Sequence, residues 1–240
     1  MNQPSAFLPG WGLGRGPWQP TVAALGGEII DLPGYGDTPL LTDFSAAADA
    51  IADRLAPETM LCGWSLGAML ALAVAARHPE KVGKLVLVAG TASFVQRDGW
   101  PHAMPPTMLA EFAAAVAADA EGSLLRFIGN FNRGDAQART ITRELMALAD
   151  PLPGEYALAT GLAWLRDVDL RPLAAQVAAP TLLMHGAADP LMPLPAATAL
   201  AALIPGARLE TFAACAHAPF IAAPAAFRDQ LAAFRHDATL

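Results

Sequence analysis

Residues 63–67, which read Gly-Trp-Ser-Leu-Gly, constrain this chain more than any other segment. They follow a short apolar run, residues 59–62, and precede an alanine-rich stretch of helical pattern from Ala68 to His78. A serine between two glycines, at a sharp turn from a strand into a helix, has its hydroxyl exposed for nucleophilic attack. Glycines suit such a turn because its backbone is strained and the strand and helix approach each other closely. The segment therefore predicts a nucleophilic serine, Ser65.

Short apolar runs bounded by glycine or proline predict the strands of a sheet. Helical patterns join these runs, and strands that alternate with helices form a mostly parallel sheet that is covered on both faces. The fold class is therefore α/β. The predicted strands are residues 6–8, 27–31, 59–62, 85–89, 181–185 and 208–212.

The segment from Val95 to Trp164 differs from the rest of the chain because it has no strand-like run. Its apolar residues recur at helical spacing, which predicts three or four helices inserted over the sheet as a lid. We therefore expect a core of residues 1–94 and 165–240 and a helical lid of residues 95–164. The length of 240 residues fits one α/β domain with such an insertion.

A serine hydroxyl is a poor nucleophile at neutral pH and needs a base. His217 lies in a loop after the last predicted strand, where functional groups of α/β sheets gather. His185 closes a strand and is the main competitor, whereas His78 and His236 have the context of surface residues. His102 lies at the entry of the lid, which is a poor place for a fixed base. We predict that His217 is the base.

The base in turn needs an acid to orient it. Asp189 lies just past the carboxyl end of a predicted strand, in the segment His-Gly-Ala-Ala-Asp-Pro. An aspartate before a proline is also a common turn residue. However, the chain order Ser65, Asp189, His217 is the order expected when a serine, an acid and a histidine are built on such a sheet. We therefore predict that Asp189 is the acid.

Acyl transfer also requires donors for the oxyanion that develops during the reaction. The backbone N–H of Leu66, the residue after the nucleophile, is the first predicted donor. The second is expected in the glycine-rich loop after the first strand, residues 9–14, where Trp11 would supply its backbone N–H.

The composition excludes several classes of protein. Apolar residues make up 54% and charged residues 15% of the chain, so a substantial core can be buried, and the net charge of −7 argues against general nucleic-acid binding. No apolar run is long enough to span a membrane, and the first residues lack the pattern of a signal peptide. Cys62 and Cys215 lie in apolar surroundings, which favours buried thiols in the cytoplasm. No metal is expected, because there is no His-x-x-x-His pair or cysteine cluster.

These motifs resemble those of a known family, the BioH-type pimeloyl-[acyl-carrier protein] methyl ester esterases of biotin synthesis, in the α/β-hydrolase superfamily. The similarity covers nearly the whole chain. The two leading strands of the full fold have no counterpart, so we expect about six strands, with residues 27–31 at an edge of the sheet. The matching segments are residues 10–13, 31–36, 63–67, 97–101, 167–171 and 216–220.

The resemblance implies a serine carboxylesterase without a cofactor, which acts on the methyl ester of pimeloyl-acyl carrier protein. In this family the carrier protein docks on a basic surface of the lid. Arg126, Arg139 and Arg143 fall on matching positions, and a local basic patch on an acidic protein suits an acidic partner. A solvated helix surface is the alternative. Trp11 and Phe127 are expected to contact the substrate. An apolar acyl channel and plain core packing are equally open for Leu124, Phe127, Ile128 and Trp164.

Other functions share the same catalytic residues. A general short-chain esterase or lactonase, a C–C hydrolase and a cofactor-free haloperoxidase all remain open alternatives. A binding module that kept the fold without activity is a further alternative, against which the presence of Ser65, Asp189 and His217 in order argues. We also expect small-molecule esters as substrates. No nucleic-acid or membrane partner is expected.

Overall fold

A computed structural model describes residues 3–237 of the chain. The described residues form a sheet of six strands in the order β2-β1-β3-β4-β5-β6, in which every neighbouring pair is parallel. The prediction of a parallel sheet of about six strands is therefore confirmed. The strands are β1 (Ser5–Leu8), β2 (Glu28–Ile29), β3 (Thr59–Trp64), β4 (Val82–Val88), β5 (Thr181–Gly186) and β6 (Arg208–Phe212).

Strands β3 and β5 are buried along their whole length. This is why their sequences are continuous apolar runs rather than alternating ones. The short strand β2 lies at one edge, as predicted, and its Glu28 is exposed there. A charged side chain on an edge strand discourages pairing with another sheet.

Strand β4 begins at Val82, earlier than the predicted residue 85, and it includes the buried Lys84. The Nζ of Lys84 donates to the backbone carbonyls of Phe234, Arg235 and Asp237, at 2.8, 3.1 and 2.8 Å. These acceptors lie at the end of the last helix, so a lysine inside a buried strand satisfies carbonyls that would otherwise lack a donor.

Helices connect the strands. Helix α3 starts directly after Ser65, and its first ten residues are buried, since its leucines and alanines pack on β3 and β4. None of the described helices is both long enough and apolar enough to cross a membrane. The helices are α1 (Gln19–Leu25), α2 (Phe44–Arg54), α3 (Leu66–Arg77), α4 (Pro106–Ala118), α5 (Ala120–Phe131), α6 (Ala138–Leu148), α7 (Glu155–Asp167), α8 (Arg171–Ala174), α9 (Leu194–Leu203), α10 (Pro219–Ala222) and α11 (Pro224–His236), with a 3-10 turn at Gly16–Trp18.

Five of these helices, α4 to α8, lie between β4 and β5. Helices α4 to α7 occupy the segment predicted as a lid, although α7 ends at Asp167, beyond residue 164. Helix α5 packs against α4 and α6, and α4 packs against α7. The division of the chain into a core and a lid at residues 95 and 164 stays a prediction.

Candidate active site

Ser65 occupies a strained turn at the carboxyl end of β3. Its backbone has φ 57° and ψ −119°, a conformation that residues other than glycine rarely adopt. The two flanking glycines are needed for space: a Cβ on Gly63 would collide with the carbonyl of Gly67, and one on Gly67 would collide with that of Pro9. The turn is also fixed by hydrogen bonding, because Ser65 N–H donates to the Val88 carbonyl at 3.0 Å. The local sequence thus presents the serine side chain at the top of the sheet.

Asp189 and His217 form a buried pair. The Nδ1 of His217 lies 2.7 Å from Oδ2 of Asp189, and both side chains are almost completely inaccessible to solvent. The other carboxylate oxygen, Oδ1, accepts the backbone N–H groups of Leu191 and Met192 at 2.8 and 2.9 Å. Because a carboxylate only accepts, His217 carries its proton on Nδ1 and Nε2 is left as an acceptor. The aspartate therefore determines both the orientation and the tautomer of the imidazole.

The Nε2 of His217 is buried and has no hydrogen-bond partner within residues 3–237. The imidazole is held by two aromatic neighbours, with ring centroids 5.7 Å from Trp64 and 5.1 Å from Phe131. The indole N–H of Trp64, the residue before the serine, also donates to the His217 carbonyl at 2.8 Å. A buried imidazole nitrogen that has no donor can accept a proton, as a general base must.

His185, the competing histidine, lies near the same carboxylate oxygen as His217. Its Nε2 donates to the Met192 carbonyl at 2.6 Å and is 3.7 Å from Oδ2 of Asp189. Burial lowers the pKa of His185, although the charge of Asp189 opposes this effect. The Nε2 of His185 is therefore occupied by a backbone carbonyl, whereas the Nε2 of His217 has no partner among the described residues.

The loop after β1 brings backbone donors to the site. Neither the N–H of Trp11 nor that of Leu66 has a hydrogen-bond acceptor within the described chain. The loop is held in place because Gly12 N–H donates to the Tyr35 hydroxyl at 2.9 Å and the Trp11 indole donates to the Leu158 carbonyl at 3.0 Å. Fixed N–H groups without acceptors are what an oxyanion requires.

A cavity of about 360 Å³ opens beside Ser65, a volume within the range of small-ligand sites. Its lining is mostly apolar and comes from the loop after β1, the helices α4, α5 and α7, and the loop after β5. Phe127 and Trp11 line it, with their rings in edge contact at 5.6 Å, and their contact with a substrate stays a prediction. The full lining comprises Trp11, Ser65, Phe94, Met104, Met108, Leu109, Phe112, Phe127, Asn130, Phe131, Arg133, Leu162, Leu165, Pro190 and Leu191.

The other residues proposed for an acyl channel do not line this cavity. Leu124 and Ile128 are buried in the core cluster. Trp164 lies against Phe44, and its indole N–H donates to the Thr42 carbonyl at 2.7 Å. For these three residues the structure favours core packing.

The predicted lid arginines are exposed. Arg126 is engaged locally, 3.5 Å from the Asp119 carboxylate and 3.0 Å from the Ser123 hydroxyl. Arg139 and Arg143 have no ion-pair partner in the part of the chain that the structure describes, so their charges are available to a partner.

Two supporting aspartates were missed by sequence reasoning. Asp150, after α6, accepts Arg15 N–H at 2.6 Å and donates its own N–H to the Leu13 carbonyl at 3.0 Å, which ties the lid to the loop after β1. Asp135, after α5, accepts Ala216 N–H at 3.0 Å, directly before His217. Aspartates in turns are common, so nothing in the local sequence distinguishes these two.

A parallel sheet with a serine, an aspartate and a histidine at the carboxyl ends of its strands has the architecture of an α/β hydrolase. Comparison with known proteins agrees, because the sequence model of the Alpha/beta hydrolase family matches residues 6–230. Two curated relatives carry the name pimeloyl-[acyl-carrier protein] methyl ester esterase. The one from Aromatoleum aromaticum is 39% identical and covers 93% of this chain and 95% of the relative. The one from Nitrosomonas europaea is 37% identical and covers 92% and 91%.

The chain therefore belongs to the α/β hydrolase family and, within it, to the pimeloyl-[acyl-carrier protein] methyl ester esterases, which confirms the resemblance seen in the sequence. Among solved structures, an esterase from Exiguobacterium antarcticum superposes with a TM-score of 0.88 at 25% identity. That comparison covers 97% of this chain and 91% of the esterase.

Proposed function

We propose that this protein is a serine carboxylesterase in which Ser65 is the nucleophile, His217 the base and Asp189 the residue that orients it. The observation that carries the proposal is the buried Asp189–His217 pair, whose Nε2 has no partner among the described residues and whose imidazole packs against Trp64, the residue before the serine. Catalytic hydrogen bonds are often formed fully only when substrate is bound. The proposal requires that the Ser65 hydroxyl reach Nε2 when substrate is bound.

The reaction follows from these positions. Ser65 Oγ attacks the ester carbonyl while His217 Nε2 accepts its proton, and the N–H groups of Leu66 and Trp11 bind the oxyanion. His217 then returns the proton to the leaving alcohol, which leaves an acyl-serine. Water, deprotonated by the same nitrogen, attacks this acyl-serine, and the proton returns to Oγ as the acid departs. Asp189 keeps its hydrogen bond to Nδ1 throughout and stabilises the imidazolium.

The substrate class follows from the relatives and the site together. Relatives that match almost the entire chain are named for the methyl ester of a pimeloyl-acyl carrier protein. The apolar cavity suits a hydrocarbon chain, and the exposed charges of Arg139 and Arg143 suit an acidic carrier. We propose that this chain hydrolyses the same ester and releases methanol, and that Arg126 contributes to the docking surface. The buried free thiols of Cys62 and Cys215 support a location in the cytoplasm.

The first test is complementation of a biotin auxotroph that lacks this esterase, combined with assays of the purified protein on methyl pimeloyl-acyl carrier protein. Wild type is expected to rescue growth and to release methanol, and Ser65→Ala to do neither. Loss of catalysis by about 10³-fold or more is typical of removing such a nucleophile. Turnover by Ser65→Ala at the wild-type rate would refute the proposal.

The second test addresses the carrier protein. The pair Arg139→Glu and Arg143→Glu is expected to raise KM for the carrier-bound ester by about tenfold or more. Turnover of p-nitrophenyl butyrate should not change, because these side chains do not line the cavity. A matched control reverses Arg54 and Arg228, which lie in α2 and α11, outside the lid. Equal losses on both substrates, or equal losses in the control, would remove the docking surface.

A further inference from the structure

The cavity beside Ser65 carries one charged side chain on its rim. Of the residues that line it in the described chain, only Arg133 is ionised, and only Ser65 and Asn130 are also polar. The remainder are apolar or aromatic. Pockets of this kind use their few polar groups to orient the ligand. The single positively charged side chain at this apolar cavity is therefore a candidate for orienting the substrate.

The charge of Arg133 is not neutralised by any residue that the structure describes. Its Nη2 donates to the neutral amide oxygen of Asn130 at 3.2 Å, and no carboxylate lies within 4.0 Å among residues 3–237. The nearest acid in sequence, Asp135, is already used: Oδ1 accepts Gln137 N–H at 2.7 Å and Oδ2 accepts Ala216 N–H at 3.0 Å. An exposed guanidinium with free N–H groups remains.

The position of Arg133 is fixed by the turn that follows α5. Phe131 packs on the His217 ring, and Gly134 has φ 98° and lies against Ala188 in the loop that carries the acid. The Arg133 backbone N–H donates to the Asn130 carbonyl at 3.1 Å. The guanidinium therefore extends from a backbone whose position is fixed. This limits the range of distances between the guanidinium and Ser65.

We infer that Arg133 is a substrate-binding residue that receives an anionic oxygen, of a carboxylate or a phosphate, borne by the substrate beyond the apolar cavity. The inference rests on the proposed function, since it places the reacting ester at Ser65. Guanidinium groups pair with carboxylate and phosphate oxygens through two parallel N–H donors. Two sources fit this chemistry: the free carboxylate of a dicarboxylic half-ester, or the phosphate of a carrier's prosthetic arm.

A chain-length series tests the anion site. The kcat/KM of monomethyl esters of dicarboxylic acids, from succinate to sebacate, is measured against that of the matching dimethyl esters. A fixed cation predicts a preference for the half-ester that passes through a maximum at one length, at about threefold or more. A nonspecific electrostatic attraction between the protein and the anionic substrate predicts no maximum at one chain length. Arg133→Gln is expected to abolish the maximum and Arg133→Lys to retain part of it.

Arg166→Gln is the matched control, because it removes one positive charge from α7 at a residue that does not line this cavity and is paired with Asp167. It is expected to keep the wild-type profile. A profile without a maximum in wild type, or a maximum that survives Arg133→Gln, would overturn the assignment of a carboxylate.

The second source is tested with methyl pimeloyl-pantetheine and its 4′-phosphate. If phosphate is the group bound, wild type prefers the phosphorylated thioester and Arg133→Gln does not. A preference for the anionic substrate in either series supports the anion site and identifies the source of the anion, whereas no preference in either series refutes the site.

Neutral dimethyl esters separate this inference from the proposed function. If wild type hydrolyses them but shows no preference for an anionic substrate, this inference alone is overturned. If wild type hydrolyses no ester, the proposed function is overturned as well.

Discussion

The carboxylate of Asp135 accepts the backbone N–H of Ala216, at 3.0 Å, across 81 residues of sequence. The same turn donates Ala136 N–H to the Ala214 carbonyl at 3.0 Å. Two hydrogen bonds thus join the end of α5 to the loop that carries His217. The position of the imidazole therefore depends on the lid as well as on Asp189.

Replacement of Asp135 by alanine should impair catalysis more than substrate binding. The Ala216 N–H would lose its acceptor, at a cost of about 1–3 kcal/mol, and small displacements of a catalytic group are costly. We expect kcat for small esters to fall about tenfold with little change in KM. Asp135→Asn keeps an amide oxygen as acceptor and should recover most of the activity. Equal activity of the alanine variant and wild type would contradict this role.

Tyr35 supports the predicted oxyanion loop, because its hydroxyl accepts the buried Gly12 N–H at 2.9 Å. Tyr35→Phe keeps the ring but leaves that N–H without an acceptor, a loss of about 1–3 kcal/mol shared between stability and catalysis. We expect a lower kcat and weaker binding of a boronic acid that forms a tetrahedral adduct with the serine. A full loss in urea stability with unchanged boronate affinity would assign the hydroxyl to folding alone.

Gly161 lets α7 approach Trp11. A Cβ at this position would lie 2.6 Å from Cδ1 and 3.0 Å from Nε1 of Trp11, so Gly161→Ala must displace the indole from the Leu158 carbonyl. Because Trp11 N–H is a proposed oxyanion donor, we expect kcat to fall by about tenfold or more.

Gly129 provides the matched control in α5, since a Cβ there meets nothing within 4 Å. Gly129→Ala should leave kcat unchanged and raise the free energy of unfolding by up to about 1 kcal/mol through helix propensity. Similar kinetics of the two alanine variants would show that Trp11 tolerates displacement.

His185 should make stability depend on pH. Burial lowers its pKa in the folded state below the ordinary value of 6.5, so between that value and the folded pKa only the unfolded chain binds the proton. Stability is therefore full above about pH 6.5 and falls as the pH is lowered, by at most about 1.4 kcal/mol per pH unit for one proton. Urea unfolding between pH 7.5 and 5 measures the slope. His185→Gln, which can still donate to Met192, should have a shallower slope, and parallel slopes would exclude this contribution.

The sequence by itself determined the turn at Ser65, the six apolar runs and the chain order of the three candidate residues. These features are local: glycine spacing, continuous apolar strands and the position of a residue after a strand depend on near neighbours. Parallel strands also bring their carboxyl ends to one edge of a sheet, so the location of residues 65, 189 and 217 at the same edge was predictable from the position of each residue after a strand.

Only the tertiary structure decided what supports and surrounds these residues. The ties of Asp135 to Ala216, Tyr35 to Gly12 and Asp150 to Arg15 join segments that are distant in the chain. The same holds for the cavity, where Phe127 lies on the lining but Trp164 does not. An apolar residue at helical spacing can face either a cavity or the core, and only the packing of helices against one another determines which.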